Sequence, residues 1–209
     1  MIRAIVADDH PVVRLGLRLA MQKAADMRVV AEADTAEALL AAVKDTPCDV
    51  VVTDFSMPGG NRGDGLGLLG TLVRTAPDTP VVLVTVLDFP DVLRAVLALG
   101  IHGLCNKTDP LEQVVEAVRV VVAGGTYISA GLQDVLQDTP SPSTATSLLT
   151  VREAEVLRLL GEGLTGNEIA ARLNRSPKTI SRQKSDVMAK LGLEGDAALA
   201  AFLRAHHLG

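Results

Sequence analysis

The chain has 209 residues, with 25 acidic against 20 basic side chains and 48% hydrophobic residues, and every apolar run is broken by charge or glycine well short of the roughly 18 residues that a bilayer span requires. Two cysteines, Cys48 and Cys105, both in apolar runs, and four histidines, His10, His102, His206 and His207, without ligand spacing exclude a disulfide scaffold and a zinc centre. The length suits two small domains better than one large one, and a first strand with no basic, apolar leader ahead of it gives the expectation of a cytoplasmic protein that does not engage a membrane.

The first predicted element is a strand, IRAIVA at 2 to 7, which runs directly into Asp8, Asp9, His10 and Pro11. Pro11 is placed to open a helix, and apolar residues at 12, 13, 15, 17, 19, 20 and 21 give Val12 to Ala24 an amphipathic helical pattern. A strand over Met27 to Ala33 and an Ala- and Leu-rich helix over Ala36 to Lys44 follow. Val50 to Thr53 is a short apolar run without alternation that ends on Asp54, as expected of a strand buried on both faces of a parallel sheet. Beyond a flexible loop at 59 to 65, the pattern continues with a helix over Leu66 to Thr75 and a strand over Val81 to Val86. A helix over Asp91 to Leu99, a strand over His102 to Asn106 and a helix over Leu111 to Ala123 complete it. Five such βα units predict a doubly wound, flavodoxin-like sheet of five parallel strands over residues 1 to 125.

Residues 126 to 147 read as a linker, because the stretch DTPSPSTATS is small, polar and proline-containing. From 148 to 209 the pattern is all helical. Thr150 with Glu153 and Thr165 with Glu168 form two capping boxes, Gly163 separates the helices they start, and Ser176 with Pro177 launches a third helix to Lys190 that stops at Gly192. Asp196 is placed to cap a fourth. Four short helices with a three- to four-residue turn between the second and third make a helix-turn-helix unit.

The acids at the strand ends carry the first chemical expectation. Asp8, Asp9 and Asp54 would converge on the carboxyl edge of the sheet, where open α/β folds bind ligands, and three crowded carboxylates call for a hard divalent cation such as Mg²⁺. Thr85 and Lys107 close two further strands and add a hydroxyl and an ammonium to that edge. Together they offer a nucleophilic carboxylate, a metal site and two donors for the oxygens of a phosphoryl group. The charge distribution carries the second expectation. Residues 1 to 123 are net −5 and residues 148 to 209 net +2, and Arg172, Arg175, Lys178, Arg182, Lys184 and Lys190 fall within 19 residues holding one acid, Asp186. A solvated helix face explains such a cluster, and so does a polyanionic partner.

With DDHP at 8 to 11, TDFSMP at 53 to 58, VT at 84 and 85, Lys107, LTVREAEVLRLLGEGLTGNEIAARL at 149 to 173 and KTISRQKSDVMAKLGL at 178 to 193, the chain resembles two-component response regulators of the NarL/FixJ type over nearly its whole length. In these a phosphoacceptor receiver precedes a LuxR-type helix-turn-helix domain. FSMPGGNRGDGLGLL at 55 to 69 and LNRSPKTISRQK at 173 to 184 look most like the capsule-synthesis regulators of enterobacteria. The resemblance implies that Asp54 accepts a phosphoryl group from a sensor histidine kinase or phosphotransfer protein. It also implies that Asp8, Asp9, Asp54 and the carbonyl of Ser56 hold Mg²⁺, that Lys107 contacts the phosphoryl oxygens and that Thr85 switches toward them. In the second domain it implies base contacts from Ser181, Arg182 and Ser185 and phosphate contacts from Lys178, Thr179 and Lys184 on double-stranded DNA, bound as a homodimer.

Two positions depart from the family pattern: Leu104 stands where many receivers have an aromatic residue, and Val86 where the residue after Thr85 is commonly small. Together with the Gly-rich loop at 59 to 65, they keep open a reading in which the receiver mainly docks an auxiliary regulator as a heterodimer and phosphorylation is secondary. A Mg²⁺-dependent aspartyl-phosphate phosphatase would need a second acid two residues after the nucleophile, and Ser56 occupies that place, so no enzyme is expected. The stripe Ala198, Leu199, Phe202 and Leu203 suits either a dimer contact or packing within the domain.

Overall fold

The computed structural model describes residues 1–57, 65–87, 90–138, 149–191 and 193–205. The predicted flexible loop therefore lies outside the described residues except for Gly65, as do the greater part of the proline-containing stretch and the expected stop at Gly192. Two compact units are present, one formed by Met1–Val86 with Leu97–Gln133 and the other by Leu87–Val96 with Asp134–Gly209.

The first unit is built on a parallel sheet, in chain order β1 (Ile2–Ala7), β2 (Met27–Ala33), β3 (Val50–Thr53), β4 (Val81–Thr85), β5 (Gly103–Asn106) and β6 (Tyr127–Ile128). Its spatial order is β2-β1-β3-β4-β5-β6. Along the chain the strands alternate with α1 (Pro11–Lys23), α2 (Ala36–Asp45), α3 (Gly65–Thr75), α4 (Pro90–Ala98), most of which falls in the second unit, and α5 (Leu111–Val122), within a residue or two of their predicted limits. All four residues of β3 are buried, as the lack of alternation required, and Ala4, Val6, Val50, Val52, Val82 and Val84 form one core with Leu17 and Met21 of α1 and Val114, Ala117, Val118 and Val121 of α5.

The sixth strand corrects the expectation of five. Tyr127 and Ile128 pair with Gly103 and Leu104 of β5, and the Ser129 amide continues the ladder to the Leu104 carbonyl at 2.9 Å. A helix, α6 (Ala130–Asp138), follows with Leu132 fully buried. The first half of the segment expected to be a linker is thus regular structure. The exposed edge of β5 and the apolar Leu132 outweigh a composition that, averaged over the whole stretch, is polar. Cys48 is half-buried in the turn before β3, not in a strand, whereas Cys105 is buried in β5, where desolvation pushes its thiol up to about 12.

An ion pair on the sheet margin makes the unit acid-sensitive. Arg3 donates to both carboxylate oxygens of Asp49, at 3.1 and 2.7 Å, and its amide donates to the same group at 2.7 Å, holding the Asp49 carboxyl down to about 2. Because the folded-state value lies below the ordinary carboxylate range, the stabilisation is complete above about pH 4 and fades as pH falls toward 2. Arg3→Ala is expected to lower stability modestly at neutral pH, because the pair is about one-third exposed and solvent screens it, with the difference from wild type shrinking as pH falls toward 2. Melting temperatures followed by circular dichroism from pH 7 down to 2 check this, and a difference that grows as pH falls would contradict it.

In the second unit α7 (Val151–Gly161), α8 (Gly166–Arg172) and α9 (Pro177–Lys190) share a core of Val156, Leu159, Ile169, Ala170 and Ile180, and α10 (Gly195–Ala205) follows and packs on α7. Both capping boxes are formed, from Thr150 with Glu153 and from Thr165 with Glu168, and the Ser176 side chain accepts from the Thr179 amide to start α9 behind Pro177. Two left-handed residues set the turns. Gly163 (φ 80°) ends α7, with the Leu164 amide returning to the Leu159 carbonyl. Asn174 (φ 51°) ends α8, with the Arg175 amide returning to the Ala170 carbonyl, and asparagine adopts this conformation more readily than most residues because its side chain is short and polar. Lys190 clamps α9 onto α7 through Glu153 at 2.6 Å. Asp196 is not the cap of the fourth helix: α10 begins at Gly195, and the Asp196 carboxylate instead pairs with Lys184 at 2.8 Å. Leu199 and Leu203 are buried, so packing within the domain accounts for most of the apolar stripe of α10.

Candidate phosphoacceptor pocket and nucleic-acid interface

The strand order reverses direction of growth between β1 and β3, and this is where the acids stand. Ala7 is in register with Thr53, so Asp8 and Asp54 leave adjacent strands side by side, and the Asp54 amide donates to the Ala7 carbonyl at 2.9 Å. A crevice at such a switch point is the usual ligand site of an open α/β sheet. Asp8, Asp9, His10 and Asp54 each bring a ligand-capable atom within 4.8 Å of the others.

Asp8 is fully buried and Asp54 is 5% exposed. Lys107, at the end of β5, reaches across to Asp8 Oδ2 and Asp54 Oδ2, 2.8 Å from each. The second Asp54 oxygen accepts from the Phe55 amide at 2.6 Å. Burial pushes the Asp54 carboxyl up; the Lys107 ammonium opposes that rise and the Asp8 carboxylate adds to it. Burial also works against the Lys107 charge, yet the combined pull of Asp54 and Asp8 outweighs it and leaves the ammonium above its ordinary value, hence protonated at neutral pH. Thr85 is buried at the end of β4, its carbonyl accepting from the Lys107 amide at 2.8 Å, which couples those two strand ends through the backbone. Ser56 is half-buried two residues beyond Asp54.

Oxygen donors on three carboxylates, two of them buried, fit a hard divalent cation of the Mg²⁺ type. Two contributors escaped the sequence reading. Arg14 donates to the Asp8 carbonyl at 2.6 Å, fixing the loop that holds the acids, and the His10 ring lies 2.7 Å from Asp9. The fourfold spacing of Arg14 and Arg18 was visible in the sequence, but the inward reach of Arg14 was not.

The basic residues separate on α9. Lys178, Thr179, Ser181, Arg182 and Ser185 are all exposed, and Lys178, Arg182, Ser185 and Ala189 recur at three- and four-residue spacing as one open stripe opposite the buried Ile180 and Val187. Arg182 has 86% of its side chain exposed and a loose pairing with Asp186 at 3.9 Å. Lys184 lies off that stripe, beside the buried side of the helix, and is engaged by Asp196.

Each half of the chain matches a known family. Residues 4–119 match the response regulator receiver domain, and residues 147–203 match bacterial regulatory proteins of the luxR family. The chain belongs to the LuxR-type response regulators. It is 36% identical to the transcriptional regulatory protein RcsB of Escherichia coli (strain K12), over 95% of this chain and 92% of that protein, and 35% identical to the oxygen regulatory protein NreC of Staphylococcus aureus, over 96% and 95%. Among solved structures it is similar to RcsB from Salmonella enterica serovar Typhimurium bound to promoter P1flhDC in the presence of the phosphomimetic BeF₃⁻, with a TM-score of 0.84, 34% identity and 98% of each chain covered. It also resembles the structure of two RcsB dimers bound to two parallel DNAs, with a TM-score of 0.66, 35% identity and 98% of each chain covered. In this response regulator no helix among the described residues is long and apolar enough to cross a membrane.

Proposed function

We propose that this response regulator is a transcriptional regulator whose DNA binding is controlled by phosphorylation of Asp54. The receiver occupies residues 1 to 125 and the DNA-binding domain 148 to 209, joined by the segment that carries β6 and α6. The observation that carries the reading is Lys107 bridging Asp8 and Asp54 at 2.8 Å each over the β1–β3 switch point. An Asp54 oxygen attacks the phosphorus of a phosphohistidine on a sensor kinase or phosphotransfer protein; the P–N bond breaks, its electrons return to the imidazole, and an acyl phosphate is left on Asp54. Mg²⁺ held by Asp8, Asp9, Asp54 and the Ser56 carbonyl would neutralise the acids and draw charge from the phosphoryl oxygens. Lys107 stabilises those oxygens, and Thr85, joined to Lys107 through its carbonyl, registers the new charge and relays it outward.

The receiver is an acceptor and not a turnover enzyme, because Ser56 stands where a phosphatase of this chemistry uses its general acid. The exposed stripe of α9 enters the major groove of double-stranded DNA in the cytoplasm, with Arg182, Ser181 and Ser185 on base edges and Lys178, Thr179 and Lys184 on phosphates; Lys184 leaves Asp196 to do so. RcsB dimers on DNA support a homodimer spanning two half-sites. A second reading, in which the receiver chiefly docks an auxiliary regulator, is favoured by Leu104 being fully buried, which leaves no aromatic side chain to swing with Thr85, and by Val86 standing 56% exposed beside it.

The deciding experiment compares DNA affinity and oligomeric state with and without acetyl phosphate for the wild type and Asp54→Asn. The expected outcome is tighter binding and dimer formation in the treated wild type alone. Equal affinity in all four samples would favour the docking reading.

A further inference from the structure

Ser129 lies past residue 125, where the receiver ends, yet it is buried, 1% exposed. Its Oγ accepts from the Asn106 amide at 3.3 Å, and the same amide donates to Asp109 Oδ2 at 3.0 Å. Asn106 is the residue directly before Lys107. The turn from Asn106 to Asp109 is closed by the Asp109 amide on the Asn106 carbonyl at 3.0 Å and by the Thr108 amide on Asn106 Oδ1 at 3.0 Å, while the Lys107 amide donates to the Thr85 carbonyl at 2.8 Å. Lys107 therefore stands in a turn whose backbone is held by Thr85 of β4, by Asp109 within the turn and by Ser129 from beyond β6. Ser129 is itself fixed: its amide continues the β5–β6 ladder to the Leu104 carbonyl at 2.9 Å, and its carbonyl accepts from the Leu132 and Gln133 amides at 3.0 and 2.9 Å, which starts α6 with Leu132 buried beneath it.

We propose that Ser129 is a positioning residue for Lys107, so that phosphoryl acceptance depends on a side chain from the segment joining the two domains. The proposal rests on the reading of Asp54 as the phosphoacceptor and deepens it. Lys107 acts only from a narrow range of positions, because its ammonium must reach Asp8 and Asp54 at 2.8 Å and then the phosphoryl oxygens. A shift of the turn by about 1 Å carries it out of that range, and misplacement on this scale costs an enzyme site up to about 100-fold in rate. The Lys107 side chain is 13% exposed, so its stem has little room to compensate. Because Ser129 also starts α6, the helix through which the chain leaves toward the DNA-binding domain, one residue sets both the seating of α6 and the placement of Lys107.

Acetyl phosphate with Mg²⁺ is the probe, used on the full-length protein, with intact-mass spectrometry following the rate of uptake. Ser129→Ala leaves the Asn106 amide its bond to Asp109, so the variant is expected to keep the wild-type circular dichroism spectrum and to take up the phosphoryl group about 10-fold more slowly. Ser129→Cys keeps the size of the side chain, but its sulfur accepts a hydrogen bond only weakly, and the same slowing is expected. In a Lys107→Ala background either change is expected to slow uptake no further, because the group being positioned is gone. Uptake at the wild-type rate in either variant would overturn the proposal. A second loss of the same size in the Lys107→Ala background would also overturn it, by making Ser129 a general support of the sheet. Failure of the underlying reading has a different signature: Asp54→Ala would then gain the phosphoryl group, or Lys107→Ala would take it up as fast as wild type.

Discussion

Treated with acetyl phosphate and Mg²⁺, the protein is expected to gain one phosphoryl group, and Asp54→Ala to gain none. The size of the effect follows from the pocket. Asp54 is the buried carboxylate on which Lys107 and the Phe55 amide both converge, and Asp8, equally buried, already shares the same ammonium. An incoming phosphoryl dianion meets three acids and one ammonium, so without a divalent cation repulsion dominates, and EDTA is expected to reduce uptake to background. Lys107→Ala is expected to leave Asp8 and Asp54 facing each other with no counter-charge, slowing acceptance and weakening the fold, since an unpaired buried charge costs more than the pair contributed. Intact-mass spectrometry checks all three. Label retained in Asp54→Ala, or uptake indifferent to EDTA, would sink the assignment.

The second large effect is expected at Arg182. Its side chain is 86% exposed with a distant partner in Asp186, so its removal disturbs little within the domain. Its planar fork suits the paired acceptors of guanine in the major groove. Arg182→Ala should cost about 1–3 kcal/mol on the proper operator, roughly 5- to 140-fold in affinity, and far less on unrelated duplex. Lys178→Ala serves as the contrast: taking one ammonium away from the phosphate backbone should weaken binding to every sequence alike and lower the salt slope by about one. Titrations on specific and random duplexes at two salt concentrations separate these outcomes. Equal weakening on both duplexes for Arg182→Ala would make it one more backbone-binding residue. Lys184→Ala is a poorer probe, because it also breaks the pair with Asp196.

Much of this protein was written in local signals. The unbroken apolar run of Val50 to Thr53 announced a doubly buried strand, and the capping boxes at Thr150 and Thr165 announced two helix starts, because each depends on residues within a turn of one another. Asp8, Asp9, Asp54 and Lys107 were legible as strand-end residues for the same reason. Only the tertiary structure decided that β1 and β3 are neighbours, which sets Asp8 beside Asp54 and brings Lys107 to 2.8 Å from both. Strand order is fixed by which faces bury which side chains across long sequence separations, and no local pattern encodes it. Likewise β6 exists because β5 has an open edge to pair with, and Lys184 is turned to Asp196 because the fold brings the first turn of α10 within its reach. Each of these depends on partners brought close by packing, and the chain order of the residues carries no trace of it.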